Sequence, residues 1–307
     1  MALSLSRRTI LSATFGIICT LARAQQPTFS TGVNVVNVLV TVRDKQGQLV
    51  RDLSKDDFTL EEEGRIQNVR YFSPQSGQPL TLGLLVDVSG SQRKVLAEQR
   101  RASQQFLDQV LRTPQDQAFL VRFDRQVALI KDLSLLEPEA MRNTARGTAM
   151  YDAIVFAARK LAGQAGRKAL VVLSDGYDTS SAATITSAIA TAQKADALVY
   201  SIRFLDRDVF AFEVPASQGG SPVPREGRKA LERIAKETGG GYFDLTAAES
   251  LEKIYTGIDD ELRNQYSLGF TPVASREKRP SGYRKIRVSV KGKGLTVQAR
   301  DGYYPAQ

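Results

Sequence analysis

Three small oxygen-bearing side chains stand at alternate positions in the segment Asp87-Val-Ser89-Gly-Ser91. The apolar run before them, Leu82–Val86, is typical of a buried parallel strand, and the Gly-Ser pair ends it. A carboxylate and two hydroxyls on one tight loop can point at one centre, and oxygen atoms are the ligands that Mg²⁺ prefers. The segment therefore predicts a divalent-cation site at the carboxyl end of a strand, where open α/β sheets bind their ligands.

Two later segments offer further oxygen ligands in chain order. Residues 146–153, with the sequence Arg-Gly-Thr-Ala-Met-Tyr-Asp-Ala, supply Thr148, and residues 170–176, with the sequence Leu-Val-Val-Leu-Ser-Asp-Gly, supply Asp175. Each lies beside a predicted helix or strand of an α/β pattern. An alternative interpretation is helix capping, because Ser91, Thr148 and Asp175 all stand near predicted helix starts, where a short oxygen side chain satisfies free amides.

The segment from Asp87 to Ser91 resembles the Asp-x-Ser-x-Ser signature of von Willebrand factor type A domains. In that family the metal-ion-dependent adhesion site adds a threonine and an aspartate from two further loops, and Thr148 and Asp175 are similar to these. The resemblance implies that Asp87, Ser89, Ser91, Thr148 and Asp175 hold Mg²⁺, or alternatively Mn²⁺ or Ca²⁺. It also implies a protein partner that presents an Asp or Glu carboxylate to the ion.

The composition excludes several kinds of chemistry. The 307 residues include no histidine and one cysteine, Cys19. Without histidine, imidazole zinc sites, Ser-His-Asp triads and Cys-His pairs are impossible. The formal net charge of +9 favours acidic partners, but the charge is spread along the chain and no nucleic-acid motif accompanies it, so we expect no specific nucleic-acid partner.

Residues 1–24 have the order of a secretory signal peptide. Arg7 and Arg8 form a basic start, Ile10–Leu21 is an apolar core too short for a stable membrane anchor, and Ala22-Arg-Ala24 resembles a cleavage site. The paired arginines also resemble a twin-arginine signal. We expect an exported protein, periplasmic or extracellular, with no transmembrane anchor after cleavage.

The remaining chain predicts two kinds of architecture. Residues 79–262 alternate predicted strands and helices, which indicates an α/β domain with a doubly wound, mostly parallel, Rossmann-like sheet. Residues 25–78 and 263–307 carry mainly strand patterns, apart from a helix-start pattern at residues 53–58. Each of the two segments has too few strands for an independent core. We therefore predict one all-β sandwich formed by both terminal segments, with the von Willebrand factor type A domain inserted between them. This layout resembles the exported bacterial proteins described as VWFA-related domain proteins.

Several local predictions are specific enough to test. Residues 117–123 and 127–133 predict a hairpin-like pair with an antiparallel edge strand. Residues 66–72 predict one strand that pairs with residues 58–62. A helix is predicted for residues 137–143, and a surface loop for residues 206–226, with the next helix beginning at Arg228.

Three functions from different classes follow from these patterns. The first is a metal-dependent, adhesion-type binding module without enzymatic activity. The second is a structural or assembly protein of the cell envelope that acts through exposed strand edges of its sandwich. The third is a metal-assisted hydrolase, for which the site offers no general base besides Asp87 and Asp175, both already assigned to the ion.

Overall fold

The structure is a computed structural model, which describes residues 35–73, 78–89, 96–133, 147–204, 224–245, 250–272 and 282–305. The predicted signal peptide, Ser91, the predicted helix 137–143 and most of the predicted loop 206–226 lie outside these residues. None of the helices within these ranges is long and apolar enough to cross a membrane.

The secondary structure alternates as the sequence pattern predicts. The strands are β1 (Val36–Arg43), β2 (Phe58–Glu62), β3 (Arg65–Gln67), β4 (Val69–Ser73), β5 (Leu80–Asp87), β6 (Gln117–Phe123), β7 (Val127–Ile130), β8 (Arg167–Ser174), β9 (Ala197–Arg203), β10 (Tyr242–Asp244), β11 (Tyr266–Phe270), β12 (Arg284–Val290), β13 (Thr296–Ala299) and β14 (Gly302–Tyr303). The helices are α1 (Leu96–Val110), α2 (Met150–Leu161), α3 (Ile185–Lys194), α4 (Pro224–Thr238) and α5 (Leu251–Arg263).

Six strands form the central sheet, in the order β10-β9-β8-β5-β6-β7. All neighbours pair in parallel except β6 and β7, which pair antiparallel. The predicted mostly parallel sheet and its antiparallel edge strand are therefore confirmed. After β7 the chain crosses back to β8 on the other side of β5, so the strand order reverses between β5 and β8, and open α/β sheets bind ligands at such a point.

Helices cover both faces of this sheet, so the predicted doubly wound arrangement is also confirmed. Side chains alternate along a strand, and β5 therefore contributes to two cores. Leu82 and Leu84 pack with apolar residues of α1 and α5, such as Phe106 and Ile258. Leu85 packs on the opposite face with residues of α2, α3 and α4.

The predicted sandwich is confirmed as two antiparallel sheets, with the strand orders β13-β1-β11-β4 and β14-β12-β2-β3. Each sheet combines strands from both ends of the chain. Their facing side chains form a third apolar core that includes Val38 and Leu60 from the first segment and Leu268 and Ile286 from the second. The domain boundaries at residues 79 and 263 stay predictions.

Two local predictions were wrong. Residues 66–72 are not one strand: the chain changes sheets at Asn68, so that β3 pairs with β2 while β4 pairs with β11 in the other sheet. A sequence pattern shows that a segment is extended, but it does not show which sheet receives it. Helix α4 begins at Pro224 rather than Arg228, which is compatible with proline because the first helical turn needs no amide donor.

Candidate metal centre

The loop that precedes α2 is fixed by its neighbours at the carboxyl edge of the six-stranded sheet. The Ala149 amide donates to the carbonyl of Asp124 in the loop between β6 and β7, at 2.6 Å. The carbonyl of Thr148 accepts the amides of Thr179 and Ser180, which follow β8, at 2.9 and 3.0 Å. Thr148 is thereby held against the loop that carries Asp175, although the two residues are distant in sequence.

Two close backbone approaches in the same loops require glycine. Gly147 has a φ of +117°, and a Cβ placed there would lie 2.2 Å from the Ser180 hydroxyl. Gly176 has a φ of +87°, and a Cβ there would lie 2.3 Å from the Gly227 carbonyl at the start of α4. The backbone therefore packs tightly on both sides of Thr148 and Asp175, which fixes the position of both loops.

Asp87 ends β5 and is fully buried. Its Oδ1 accepts the Ser89 amide at 2.9 Å, and its Oδ2 accepts the Ser174 hydroxyl at 2.6 Å. The Ser174 hydroxyl in turn accepts the Gly176 amide at 3.1 Å. Burial, together with the nearby negative charge of Asp175, raises the pKa of Asp87 to about 7. No lysine or arginine in the part of the chain that the structure describes forms an ion pair with Asp87.

Four of the five predicted ligands lie at this edge of the sheet. Asp87, Ser89, Thr148 and Asp175 are at most 8% exposed. Ser91 lies outside the described residues. The N-cap residue of α2 is Ala149 and that of α3 is Thr184, so neither Thr148 nor Asp175 is the N-cap of the helix that follows it. Asp175 Oδ1 instead accepts the amide of Tyr177, two residues further on, at 3.0 Å.

Ser174 is a site residue that sequence reasoning missed. It orients Asp87 directly, yet in the sequence it is only the residue before Asp175. The signal that identifies it is strand register: Val86 of β5 pairs with Leu173 of β8, so the next residues, Asp87 and Ser174, are neighbours across the two strands. That register is evident only once β5 and β8 are known to be adjacent.

The chemistry of this set suits a hard divalent cation. Within the described ranges, no three His, Cys, Asp or Glu side chains group as metal ligands, so the candidate depends on two carboxylates and neutral hydroxyls. Asp87 is buried, its donors in the described ranges are neutral, and an added positive charge would stabilise its ionised form. The residues present therefore fit an ion that prefers oxygen ligands, as Mg²⁺ does.

Comparisons with known proteins give structural likeness only. No protein-family model and no curated protein sequence matches the chain. Among solved structures, it is similar to a von Willebrand factor type A protein from Catenulispora acidiphila, with 12% identity over 89% of this chain and 74% of that chain, at a TM-score of 0.45. Such proteins are thus among the structures that this chain resembles.

Two further similar structures each cover 60% of the chain. The conserved hypothetical protein BatB from Bacteroides thetaiotaomicron shares 16% identity over 60% of this chain and 97% of that chain, at a TM-score of 0.43. The vWF domain of the type V pili tip protein Mfa5 from Porphyromonas gingivalis shares 13% identity over 60% of this chain and 94% of that chain, at a TM-score of 0.41. Two other matched proteins, human Sec24c and the pilus adhesin SpaC from Lactobacillus rhamnosus GG, are covered over only 44% and 48% of their lengths. At these identities and TM-scores, none of these likenesses defines a function for this chain.

Proposed function

We propose that this chain is an adhesion-type binding module of an exported protein, in which a divalent cation mediates recognition of a protein partner. Asp87, Ser89, Ser91, Thr148 and Asp175 would hold the ion, and an Asp or Glu carboxylate of the partner would bind to it. The observation that carries this proposal is the environment of Asp87: a fully buried carboxylate at the strand-order reversal, to which only neutral groups donate among the residues that the structure describes.

The chain prepares its own side of such a site before any partner arrives. Ser89 and Ser174 fix both oxygens of Asp87, and the backbone bonds around Thr148 fix the neighbouring loop. Preorganised ligands lose little conformational freedom on binding, which favours affinity. A bound cation would supply positive charge for a partner carboxylate, because neutral hydroxyls compensate less of its charge than carboxylates would.

The alternative envelope-assembly role has its own structural support. Ile66 on β3 is 75% exposed and Tyr71 on β4 is 47% exposed, and both strands lie at an edge of their sheets. Exposed edge strands can accept a strand from another chain. If Ile66→Lys and Tyr71→Lys abolish partner capture while Asp87→Ala leaves it intact, the assembly role replaces the metal-dependent one.

Calorimetry tests the metal-dependent proposal directly. We expect the parent chain to bind Mg²⁺ or Mn²⁺, and Ser89→Ala and Asp175→Asn to weaken that binding by at least about tenfold. Asp124→Asn is the matched control, because Asp124 lies at the same edge and its Oδ1 bonds only its own loop, through the Gln126 amide at 2.7 Å. Absence of binding to the parent, or equal binding by all variants, would contradict the proposal.

A further inference from the structure

A groove with an apolar floor lies between β7 and α2, next to the candidate metal centre. Four large apolar side chains are exposed among the described residues, and one of them, Phe156 on α2, lines this groove together with Val127 and Val155. The groove has a volume of about 700 Å³. An exposed apolar surface with a polar rim often marks an interaction site.

Helix α2 presents a second stripe of side chains to this groove. Asp152, Val155, Phe156, Arg159 and Lys160 follow helical spacing and line it together. The other stripe of the helix, which includes Ile154 and Leu161, is buried against the sheet. Because the buried stripe already provides the packing of α2, the exposed Phe156 is not required for the core.

The rim of the groove carries uncompensated positive charge. Arg125 and Arg159 form no ion pair with any carboxylate that the structure describes, and Lys160 lies over the ring of Phe119, with its Nζ 5.5 Å from the ring centre. Among the described residues that line the groove, the one acidic residue is Asp152, and its two oxygens accept the amides of Ala182 and Ala183 at 2.9 Å each. The groove is therefore complementary to a negatively charged segment.

One end of the groove lies next to the candidate metal centre. Ala149, which directly follows Thr148, is part of its lining, and so is Val127 of β7, which pairs with Phe123 at the carboxyl edge of the sheet. A partner segment whose carboxylate reaches the ion would therefore extend past Thr148 and over α2.

We propose that this groove binds an acidic segment of the protein partner, one that places a bulky apolar side chain on Phe156 and its acidic groups beside Arg125 and Arg159. The inference rests on the proposed function, in which a carboxylate of the partner binds the ion. It adds the groove as a second contact site and specifies that the partner's segment is acidic. Aromatic and arginine residues dominate binding energy at interfaces, so Phe156 and Arg159 should each contribute strongly.

A phage-displayed library of random dodecapeptides, selected on the whole purified chain with Mg²⁺ present, tests this inference. We expect enriched peptides to combine acidic residues with at least one large apolar residue. Their affinity should fall about tenfold or more in Phe156→Ala and in Arg159→Glu. Arg70→Glu is the matched control for Arg159→Glu, because it reverses the charge of an exposed arginine on β4, and it should not affect binding.

The outcomes separate the groove from the metal centre. If enriched peptides bind in a Mg²⁺-dependent way but are unaffected by Phe156→Ala and Arg159→Glu, the groove inference is overturned while the proposed function stands. If the chain shows no heat of Mg²⁺ binding but the peptides still depend on Phe156 and Arg159, the groove stands and the proposed function fails. Enrichment of neutral or basic peptides, or no enrichment, would overturn the groove inference.

Discussion

Buried carboxylates on opposite sides of the six-stranded sheet differ in their hydrogen-bond partners. At the amino edge, and where it meets the sandwich, Asp116 is 3.1 Å from Arg263, and Glu261 is 2.6 Å from Arg43. At the carboxyl edge, the groups in the described part of the chain that donate to Asp87 are neutral. The fold therefore neutralises Asp116 and Glu261 with basic side chains, whereas no lysine or arginine that the structure describes pairs with Asp87.

The pKa values of two aspartates express this difference. Burial raises the pKa of both, but at Asp116 hydrogen bonds from the Leu80 amide and from Arg263 outweigh it and lower the pKa to about 2. At Asp87, burial and the charge of Asp175 dominate and raise the pKa to about 7. A buried charge without a counter-charge destabilises a fold, so the comparison distinguishes carboxylates that stabilise this chain from Asp87, which binds a cation in the proposed function.

We expect the largest loss of stability from a substitution of a buried carboxylate that pairs with an arginine. Glu261 is fully buried and accepts hydrogen bonds from Arg43, from the Tyr200 hydroxyl at 2.9 Å and from the Gln298 amide group at 2.7 Å. Glu261→Ala removes the acceptor that these three donors share and leaves Arg43 without its counter-charge, and we expect the free energy of unfolding to fall by about 3–5 kcal/mol. Chemical denaturation followed by circular dichroism measures this change.

Glu232→Ala provides the control for Glu261→Ala. Glu232 pairs with Arg228 one helical turn away, 2.7 Å apart, with both side chains largely exposed. Such surface pairs contribute less than about 1 kcal/mol. Equal losses from the two substitutions would show that burial at Glu261 does not matter, and the comparison between the two edges would lose its basis.

The second effect concerns Asp116 and its dependence on pH. Its carboxylate accepts the amides of Leu80, Arg112 and Thr113 as well as bonding Arg263, and the lowered pKa corresponds to about 2 kcal/mol of stabilisation. Because the folded pKa lies below the ordinary value of 3.8, this stabilisation is complete above about pH 5 and is lost as pH falls from about 4 to 2.

Asp116→Asn tests that dependence. Near neutral pH the variant should have a free energy of unfolding about 2 kcal/mol below that of the parent. Urea denaturation of both chains between pH 6 and pH 2 should show the difference shrinking in the acid range. A difference that stays constant down to pH 2 would show that the ionised carboxylate of Asp116 is not what stabilises the fold.

The third effect lies at the carboxyl edge, where the Ser174 hydroxyl orients Asp87. Ser174→Ala removes that donor, and we expect Mg²⁺ affinity measured by calorimetry to fall about tenfold, as is usual when a group that orients a metal ligand is lost. Ser103→Ala is the control, because Ser103 is equally buried and bonds the Tyr255 hydroxyl at 3.0 Å far from the loops of the site. If both variants keep the parent's affinity, Ser174 has a structural role only.

The sequence was sufficient for features that depend on local pattern. Alternating strands and helices predicted the doubly wound sheet. Strand patterns at both ends of the chain, too few at either end for a core of their own, predicted the sandwich that contains Val38 and Leu268. It also placed Asp87 and Asp175 at strand ends. Sequence patterns are insufficient where pairing across long separations decides the result, as in the contact of Ser174 with Asp87 and the change of sheets at Asn68.

The arginine partners of the buried acids also escaped prediction for a physical reason. Arg43 and Glu261 are separated by 218 positions, and nothing local distinguishes either from a solvated surface charge. Only the packing of α5 against β1 brings them together. The composition therefore indicates a basic chain, but not which of its cations are already used for neutralising buried acids.

The smallest expected change in stability gives the sharpest test. We expect Asp87→Asn to leave the free energy of unfolding unchanged or to raise it, whereas Asp116→Asn should lower it. Asp87→Asn removes the buried charge and keeps the shape. The amide oxygen can still accept the Ser89 amide, and the Ser174 hydroxyl can accept from the new amide group instead of donating. We expect the metal-free variant near pH 8 to be as stable as the parent or more stable, within about 1 kcal/mol.

The same variant should lose Mg²⁺ binding, so that its stability no longer responds to added Mg²⁺. Thermal unfolding of the parent, Asp87→Asn and Asp116→Asn, each with EDTA and with Mg²⁺, measures both properties together. Asp116→Asn should be less stable in both conditions and should keep its response to Mg²⁺. If Asp87→Asn instead loses as much stability as Asp116→Asn does in EDTA, then Asp87 is a structural carboxylate like those at the amino edge. The unneutralised charge would then be no sign of a metal site.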